Sequence, residues 1–472
     1  MKVWQKALVL ISGLGVAFLV YSPHLNYSYP FHVDEWHHIS QALRIGSGAY
    51  VLSFQSAELG FHLFLFLLST VTDLVSVYRF LPAITALVSA SIIFFLTYRV
   101  SNSFWTGIAA LFFFATIKSN VNVTGIWFFT PLSFAIPLIY AYLYAFYRAG
   151  EEGSALYLKI GILLFALLIP IHAVSALMSL PALCIYGIIQ REKLQGQMKY
   201  LYALIGVLVG GTFFFTWLLP GSVLTDLTQL FSLVQFRYGW GVVEMENSLT
   251  ELYSSIGYIF AIIGVISLAI QKTYRHYVLF LILPITLLVS ILLFKLTGIS
   301  LLSPYQRNLY YFTLILPLFS ALGLVYLFSL IQTRISVTPV RVLILLVLVG
   351  ITASSLHGYG KLPARSELYY TINDAEYKAL RFLREYPEGR VMAEALPSVS
   401  VYALSGHEPV ASLVFDGKQN INDTFMHGEN CATKRAFLYE NPEVRYILST
   451  DRLTCGWIQL YAKGTYVYQT RE

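Results

Sequence analysis

A cluster of acidic and imidazole side chains lies in the segment Phe31–His38, which reads Phe-His-Val-Asp-Glu-Trp-His-His. It contains the carboxylates Asp34 and Glu35, followed by His37 and His38. Carboxylates accept protons at neutral pH, and imidazoles both transfer protons and bind metal ions. The segment follows the first apolar run of the chain, so proton transfer or metal binding by these side chains would take place next to that run.

The spacing of these residues also allows a metal site. If residues 34 to 41 are helical, Asp34, His37 and His38 share one face of the helix, because they stand at positions i, i+3 and i+4. A carboxylate and two imidazoles are suitable ligands for a divalent ion. The alternative is that the histidines are hydrogen-bonded side chains at an interface and that Asp34 and Glu35 belong to a solvated loop. No cofactor is certain, and a divalent metal is an open alternative.

The composition indicates a polytopic membrane protein. Hydrophobic residues make up 57% and charged residues 12% of the 472 positions, which is too apolar for a soluble enzyme of this length. A spanning helix needs roughly 20 mostly apolar residues, and such runs recur as far as about residue 355. The net charge of +6 is scattered among short loops, which is typical of orientation signals and argues against a nucleic-acid partner.

We predict about 11 transmembrane helices. After the first run, the predicted spans are roughly 80–98, 104–117, 126–147, 155–170, 173–190, 200–219, 253–270, 276–295, 308–330 and 339–356. The segment 61–76 is apolar but too short to be assigned by length. If it does not cross, the inner loops carry about twice as many Lys and Arg residues as the outer loops, as the positive-inside rule requires. The N-terminus is then cytoplasmic.

Two domains follow from this arrangement. Residues 1–360 form a transmembrane domain with an outer loop at 22–79, and residues 361–472 form a small extracytoplasmic α/β domain. Asn373 is expected to cap an amphipathic helix in the second domain, and short buried strands are expected at 390–393 and 444–448.

Two cysteines of the C-terminal domain have two possible states. Cys431 and Cys455 both lie in this domain. Outside the cell they could form a disulfide, or they could remain two reduced thiols.

The layout and the acidic motif resemble a known superfamily. The Asp34-Glu35-Trp36-His37 stretch resembles the Asp-Glu-x-His motif of protein O-mannosyltransferases and the Asp-Glu opening of lipid A aminoarabinose transferases. With one span before it, many after it and an outer C-terminal domain, the chain resembles the GT-C superfamily of membrane glycosyltransferases. One departure is Glu58-Leu59-Gly60-Phe61-His62, which stands where relatives commonly have a His-Pro-Pro-Leu type segment.

The resemblance implies transfer of a sugar from a polyprenyl-phosphate donor to an acceptor on the outer face, with inversion at the anomeric carbon. The acceptor could be protein, glycan or lipid. Asp34 is the candidate general base, because attack by a hydroxyl needs a proton acceptor near the nucleophile. Glu35 is expected to bind the acceptor or a sugar hydroxyl. Arg307 is the candidate partner of the departing phosphate, since a guanidinium can hold two phosphate oxygens.

The other candidates for substrate binding lie in three places. His37 and His38 follow the acidic pair. Glu58 and His62 begin the segment that is expected not to cross. Arg237 has aromatic neighbours that could stack on a sugar ring, and His172, after Pro170, could line the same cavity or play a structural role.

Two alternative functions remain open. A transporter or flippase also has many spans, but it typically places ionisable residues at mid-membrane and often has repeated halves. The charges here cluster at loop edges, and no internal repeat is visible. Within the enzyme class, a monosaccharide transferase is favoured over an oligosaccharyltransferase, because the chain shows no long C-terminal domain with a Trp-Trp-Asp type motif.

Overall fold

A computed structural model of the chain divides into two compact units. It describes residues 1–51, 58–119, 123–197, 199–200, 202, 206, 235–237, 252–332, 337–359, 370–412, 419–428 and 430–470. The first unit comprises Met1–Ser22, Val51–Phe61 and Phe80–Leu362. The second comprises Pro23–Tyr50, His62–Arg79 and Pro363–Glu472. The segment with the acidic pair therefore belongs to the same unit as the C-terminal residues.

Helices dominate the described chain up to residue 359. In chain order they are α1 (Val3–Tyr21), α2 (Val33–Ser47), α3 (Leu59–Ser69), α4 (Leu74–Tyr78), α5 (Leu81–Ser101), α6 (Phe104–Phe114), α7 (Pro131–Glu152), α8 (Ala155–Leu177), α9 (Leu180–Ile189), α10 (Arg191–Leu194), α11 (Ser255–Ile270), α12 (Val278–Thr297), α13 (Tyr305–Gln332) and α14 (Val337–Tyr359). Strand β1 (Gln235–Arg237) pairs antiparallel with β2 (Ile299–Leu301).

Within the described residues, five helical segments are long and apolar enough to cross a membrane. They are Val3–Leu25, Leu81–Ser101, Ala155–Leu177, Tyr274–Thr297 and Tyr305–Gln332. Other apolar helices are shorter, and the predicted span 200–219 lies outside the described residues except for residues 200, 202 and 206. The chain is thus a helical membrane protein with a small C-terminal sheet, but the count of about 11 spans is not confirmed.

The boundary predicted between the spans 155–170 and 173–190 coincides with a break in the helix at His172. Helix α8 continues through Pro170 to Leu177 and is interrupted at His172, whose backbone is not helical. A proline inside a helix removes one hydrogen bond and clashes with the preceding turn, so a kink near Pro170 has a direct cause. His172 therefore lies at the junction of two helical segments.

Two helices of the first unit approach each other closely. Gly264 of α11 faces the backbone of Phe319 in α13, and Gly323 of α13 faces the backbone of Phe260 in α11. A Cβ atom at either glycine would lie well inside van der Waals contact with a carbonyl oxygen. Small residues commonly permit this approach between membrane helices.

The C-terminal part of the second unit contains a mixed five-stranded sheet. Its strands are β3 (Arg390–Met392), β4 (Glu408–Pro409), β5 (Val444–Ser449), β6 (Ile458–Ala462) and β7 (Tyr466–Gln469), in the spatial order β4-β3-β5-β7-β6. Strand β3 is parallel to β4 and β5, whereas β7 is antiparallel to β5 and β6. Its helices are α15 (Asp374–Leu383), α16 (Ala395–Ser398), α17 (Val401–Ser405), α18 (Gln419–Met426) and α19 (Cys431–Glu440).

Helix α15 begins where the sequence predicts. The side chain of Asn373 accepts hydrogen bonds from the backbone N–H groups of Ala375 and Glu376, and Glu376 in turn accepts one from the N–H of Asn373. This reciprocal pair is a capping box. The sequence thus predicts the local start of this helix correctly.

The core of the sheet is apolar and is closed by a disulfide. Met392, Phe425, Val444, Ile447 and Tyr468 lie in one buried cluster. Cys431 at the start of α19 is bonded to Cys455. The structure therefore selects the bridged alternative for these two cysteines.

Candidate functional site

The first turn of α2 holds the acidic pair in two different environments. Glu35 is fully buried, and its Oε2 accepts hydrogen bonds from the backbone N–H groups of Phe31 at 2.7 Å and His32 at 3.0 Å. The side chain of Asp34 is 34% exposed. Adjacent residues on a helix point in different directions. As a result, only Asp34 is open to a substrate.

The position of Asp34 is set by its neighbours. His32 caps α2: its Nδ1 accepts a hydrogen bond from the Asp34 backbone N–H at 3.1 Å and lies 3.4 Å from the Asp34 carboxylate. Trp36 is fully buried and donates its indole N–H to the Thr371 hydroxyl at 2.6 Å. The helix dipole favours a negative charge at this end of α2. Asp34 is therefore an oriented carboxylate at a helix N-terminus.

A buried phenol lies near the same turn. Burial raises the pKa of Tyr78, and the negative charges of Glu35 and Asp34 raise it further. Tyr78 ends the short helix α4 and is fully buried. It stays protonated at neutral pH and is a potential hydrogen-bond donor beside the acidic pair.

Three imidazoles form the histidine cluster, which consists of His37, His38 and His62. One ligand atom from each residue lies within 4.8 Å of the other two. His38 Nδ1 is 3.0 Å from His62 Nε2, and the opposite nitrogen of His62, Nδ1, is 3.0 Å from the Tyr50 hydroxyl. His38 and His62 are buried. The ring of His37 lies edge-on to both other imidazoles.

The composition of this cluster differs from the predicted ligand set. Among the described residues, the group with metal-ligand spacing contains His62 in place of Asp34. The spacing within α2 brings His37 and His38 together, as the sequence predicts. The contact with His62 comes from α3 and joins residues that are 24 positions apart.

A second group of polar side chains lies in the first unit. The His172 cluster consists of Glu58, His172, Ser175, Arg307 and Tyr311. His172 Nδ1 is 2.6 Å from the Ser175 hydroxyl, which is 2.9 Å from the Tyr311 hydroxyl. His172 Nε2 lies 3.9 Å from the Glu58 carboxylate. Arg307 is close enough to interact electrostatically with His172 and Tyr311.

Helix geometry assembles the His172 cluster. The kink after Pro170 turns His172 toward neighbouring groups of the first unit, while Arg307 lies in the first turn of α13. At Gly60, a Cβ atom would come within 3.1 Å of the Pro170 backbone. This close approach brings the start of α3, with Glu58 just before it, against the kink.

The comparisons with known proteins show the fold. Neither protein-family models nor curated protein sequences match the chain. Solved structures do match, including the oligosaccharyltransferase of Archaeoglobus fulgidus in its apo form, with a TM-score of 0.58 and 15% identity over 95% of this chain and 70% of that chain. The chain has the GT-C fold.

Two further structures of the Archaeoglobus fulgidus enzyme match this chain. The oligosaccharyltransferase AglB in complex with an inhibitory peptide and a dolichol-phosphate has a TM-score of 0.54 and 15% identity, over 95% of this chain and 69% of that chain. The complex with Zn and sulfate has a TM-score of 0.51 and 17% identity, over 93% and 67% of the two chains. The GT-C resemblance inferred from the acidic motif is therefore confirmed at the level of fold.

The predicted site residues are distributed over both units. Asp34, Glu35, His37, His38 and His62 belong to the second unit, whereas Glu58 and Arg307 belong to the first. The backbone of Arg237 is in β1, opposite Ile299 of β2, and its side chain lies outside the described part. The roles assigned to all of these residues remain predictions.

Some residues of these groups lack a strong local signal in the sequence. Tyr50 and Ser175 belong to no motif, and they join the clusters through contacts with histidines. Tyr311 lies one turn after Arg307 on the same helix, so helical spacing would have identified it as a neighbour.

Proposed function

We propose that this protein transfers a sugar from a polyprenyl-phosphate-linked donor to an acceptor on the outer face of the membrane. The observation that carries the proposal is the first turn of α2, where Asp34 is partly exposed and oriented while Glu35 and Trp36 are buried beside it. The GT-C fold supports it. A protein of the same fold binds a dolichol-phosphate and an inhibitory peptide, and this also supports the proposal. The dolichol-phosphate favours a lipid-linked donor, and the peptide is consistent with a protein acceptor.

The reaction is a displacement at the anomeric carbon. The acceptor hydroxyl oxygen forms a bond to that carbon while the bond to the donor phosphate oxygen breaks. The phosphate leaves with the bonding electron pair, and the hydroxyl proton passes to Asp34. A carboxylate at a helix N-terminus is ionised at neutral pH, so it can accept this proton.

The departing phosphate requires positive charge. Arg307 carries a permanent charge on a planar group that can hold two phosphate oxygens. His172 lies in the same cluster. Its Nδ1 is within hydrogen-bond distance of the Ser175 hydroxyl, and its Nε2 lies 3.9 Å from the Glu58 carboxylate. We assign the donor phosphate to Arg307 and the orientation of the neighbouring imidazole to Glu58.

The remaining assignments follow the same scheme. On the second unit, the candidate substrate-binding residues are His37, His38 and His62. Arg237 is a candidate for sugar binding. Residues 1–360 would carry the membrane and catalytic functions, with the domain 361–472 on the outer side of an integral cell-membrane protein. A cytoplasmic N-terminus completes this topology.

A donor panel tests the proposed reaction. Purified protein in proteoliposomes is supplied with labelled polyprenyl-phosphate monosaccharides and with longer lipid-linked oligosaccharides, together with peptide, glycan and lipid acceptors. We expect Asp34→Asn to lower kcat by about 10²–10⁴-fold with little change in donor KM, the range for a lost general base. Arg307→Ala should lower kcat and raise donor KM together.

Matched controls separate chemistry from folding. Asp73→Asn changes an exposed carboxylate of the same unit, and Arg275→Ala changes an exposed cation, so both should retain activity. The base assignment is wrong if folded Asp34→Asn transfers sugar at the wild-type rate. If the protein moves a labelled donor across the bilayer without consuming it, the protein is a flippase, which is the alternative function.

A further inference from the structure

We propose that His37, His38 and His62 bind a divalent transition-metal ion of the zinc class through three imidazole nitrogens, with a fourth position open to water or an anion. This proposal does not depend on glycosyl transfer. It differs from a carboxylate-based site, because the ligand set consists of neutral nitrogen donors.

The distances in the histidine cluster are close to those of a metal site. Tetrahedral zinc with Zn–N bonds of about 2.0–2.1 Å needs about 3.3 Å between ligand nitrogens. His38 Nδ1 and His62 Nε2 are 3.0 Å apart, and all three ligand atoms lie within 4.8 Å of one another. Small side-chain rotations would bring the third nitrogen to the required distance.

An outer hydrogen bond favours the ligand form of His62. The Tyr50 hydroxyl lies 3.0 Å from His62 Nδ1, on the side of the ring opposite His38. If Nδ1 carries the proton and donates it to the Tyr50 oxygen, Nε2 is left with a lone pair that points toward His38. Metal-bound histidines commonly have their second nitrogen held in this way.

The three imidazoles lie largely away from water. His38 and His62 are buried, and His37 is partly buried. An imidazole binds a metal in its neutral form, and burial disfavours the charged form of the ring.

The ligand type selects the ion. Imidazoles suit zinc, copper, nickel and related ions, whereas magnesium and calcium prefer oxygen ligands. Two of the ligands come from α2 and one from α3. A bound ion would therefore hold the two helices together within the second unit and would restrain α2, whose first turn contains Asp34.

Metal content is the test. Full-length protein without a histidine tag is stripped with a chelator and dialysed against trace zinc, and metals are measured by mass spectrometry. We expect one zinc per chain in the wild type and in His427→Gln, which changes an exposed histidine of the same unit. His38→Gln and His62→Gln should lose this zinc. Magnesium in excess should not displace it.

A variant with a smaller expected effect and a zinc X-ray absorption spectrum complete the experiment. Tyr50→Phe should weaken zinc binding by about 10–100-fold, the usual effect of losing an outer hydrogen bond. Zinc X-ray absorption of the wild type should show imidazole scattering from three ligands, and this measurement needs no variant to fold. Wild type that binds no zinc would overturn the proposal and leave a plain hydrogen bond between His38 and His62. The proposal would also be overturned if folded His62→Gln kept its zinc content, or if the zinc absorption spectrum showed no imidazole scattering.

Discussion

At the scale of single residues, the adjacent carboxylates Asp34 and Glu35 have opposite surroundings. Glu35 is fully buried and accepts two backbone hydrogen bonds, whereas Asp34 is partly exposed. That Glu35 binds the acceptor or a sugar hydroxyl stays a prediction, and its contacts give it a second role as the partner of His32 in the capping box of α2. Stability measurements can isolate that role.

Glu35→Ala should destabilise the protein, because it leaves the N–H groups of Phe31 and His32 without this acceptor. The expected cost is about 1–3 kcal/mol. Glu35→Gln should cost less, since a glutamine can also complete a capping box. Thermal unfolding in detergent measures both effects. Glu385→Ala removes an exposed carboxylate of the same unit and should change stability by less than about 0.5 kcal/mol. Equal melting temperatures for all four proteins would exclude the capping role.

At the scale of elements, helices are shaped by prolines and joined through glycines. The kink in α8 follows from Pro170, so a break near this position could be predicted from the sequence. Which helix packs against a given glycine could not be predicted from the sequence. A glycine in an apolar run has the same local pattern whether it contacts another helix or lipid. Gly264 and Gly350 illustrate the difference.

Gly264→Ala should lower the melting temperature, whereas Gly350→Ala should raise it slightly. A Cβ at Gly264 meets the Phe319 carbonyl, and overpacking against backbone costs about 3 kcal/mol. A Cβ at Gly350 has no atom within 4 Å among the described residues, so alanine gains its helical advantage of about 1 kcal/mol. Thermal unfolding shows whether each substitution raises or lowers the melting temperature. A Gly264→Ala variant as stable as the wild type would contradict the close contact between α11 and α13.

At the scale of the whole molecule, the predicted orientation places the C-terminal domain outside and the loop after α9 inside. In a Cys184→Ser background, a membrane-impermeant maleimide should label Lys463→Cys in intact cells. It should label Lys193→Cys only after the membrane is opened. Both positions are exposed, so accessibility within the protein does not separate them. Labelling of Lys193→Cys in intact cells would invert the loop assignments.

The sequence alone determined the features that depend on local pattern. Composition and apolar run length identified a helical membrane protein, and Asn373 was correctly predicted to cap α15. The acidic pair after the first span predicted a GT-C fold, and the solved structures that match the chain have this fold. These signals are local because helix length, capping and periodicity involve residues that are close in the chain.

Only the tertiary structure decided which distant side chains meet. It paired Cys431 with Cys455, brought His62 to His38, and joined His172 to Tyr311. It also left Asp34 partly exposed while burying Glu35, although the two residues are neighbours in sequence. Such choices depend on how helices pack and which groups lose contact with water, and packing is a property of the folded chain rather than of any short segment.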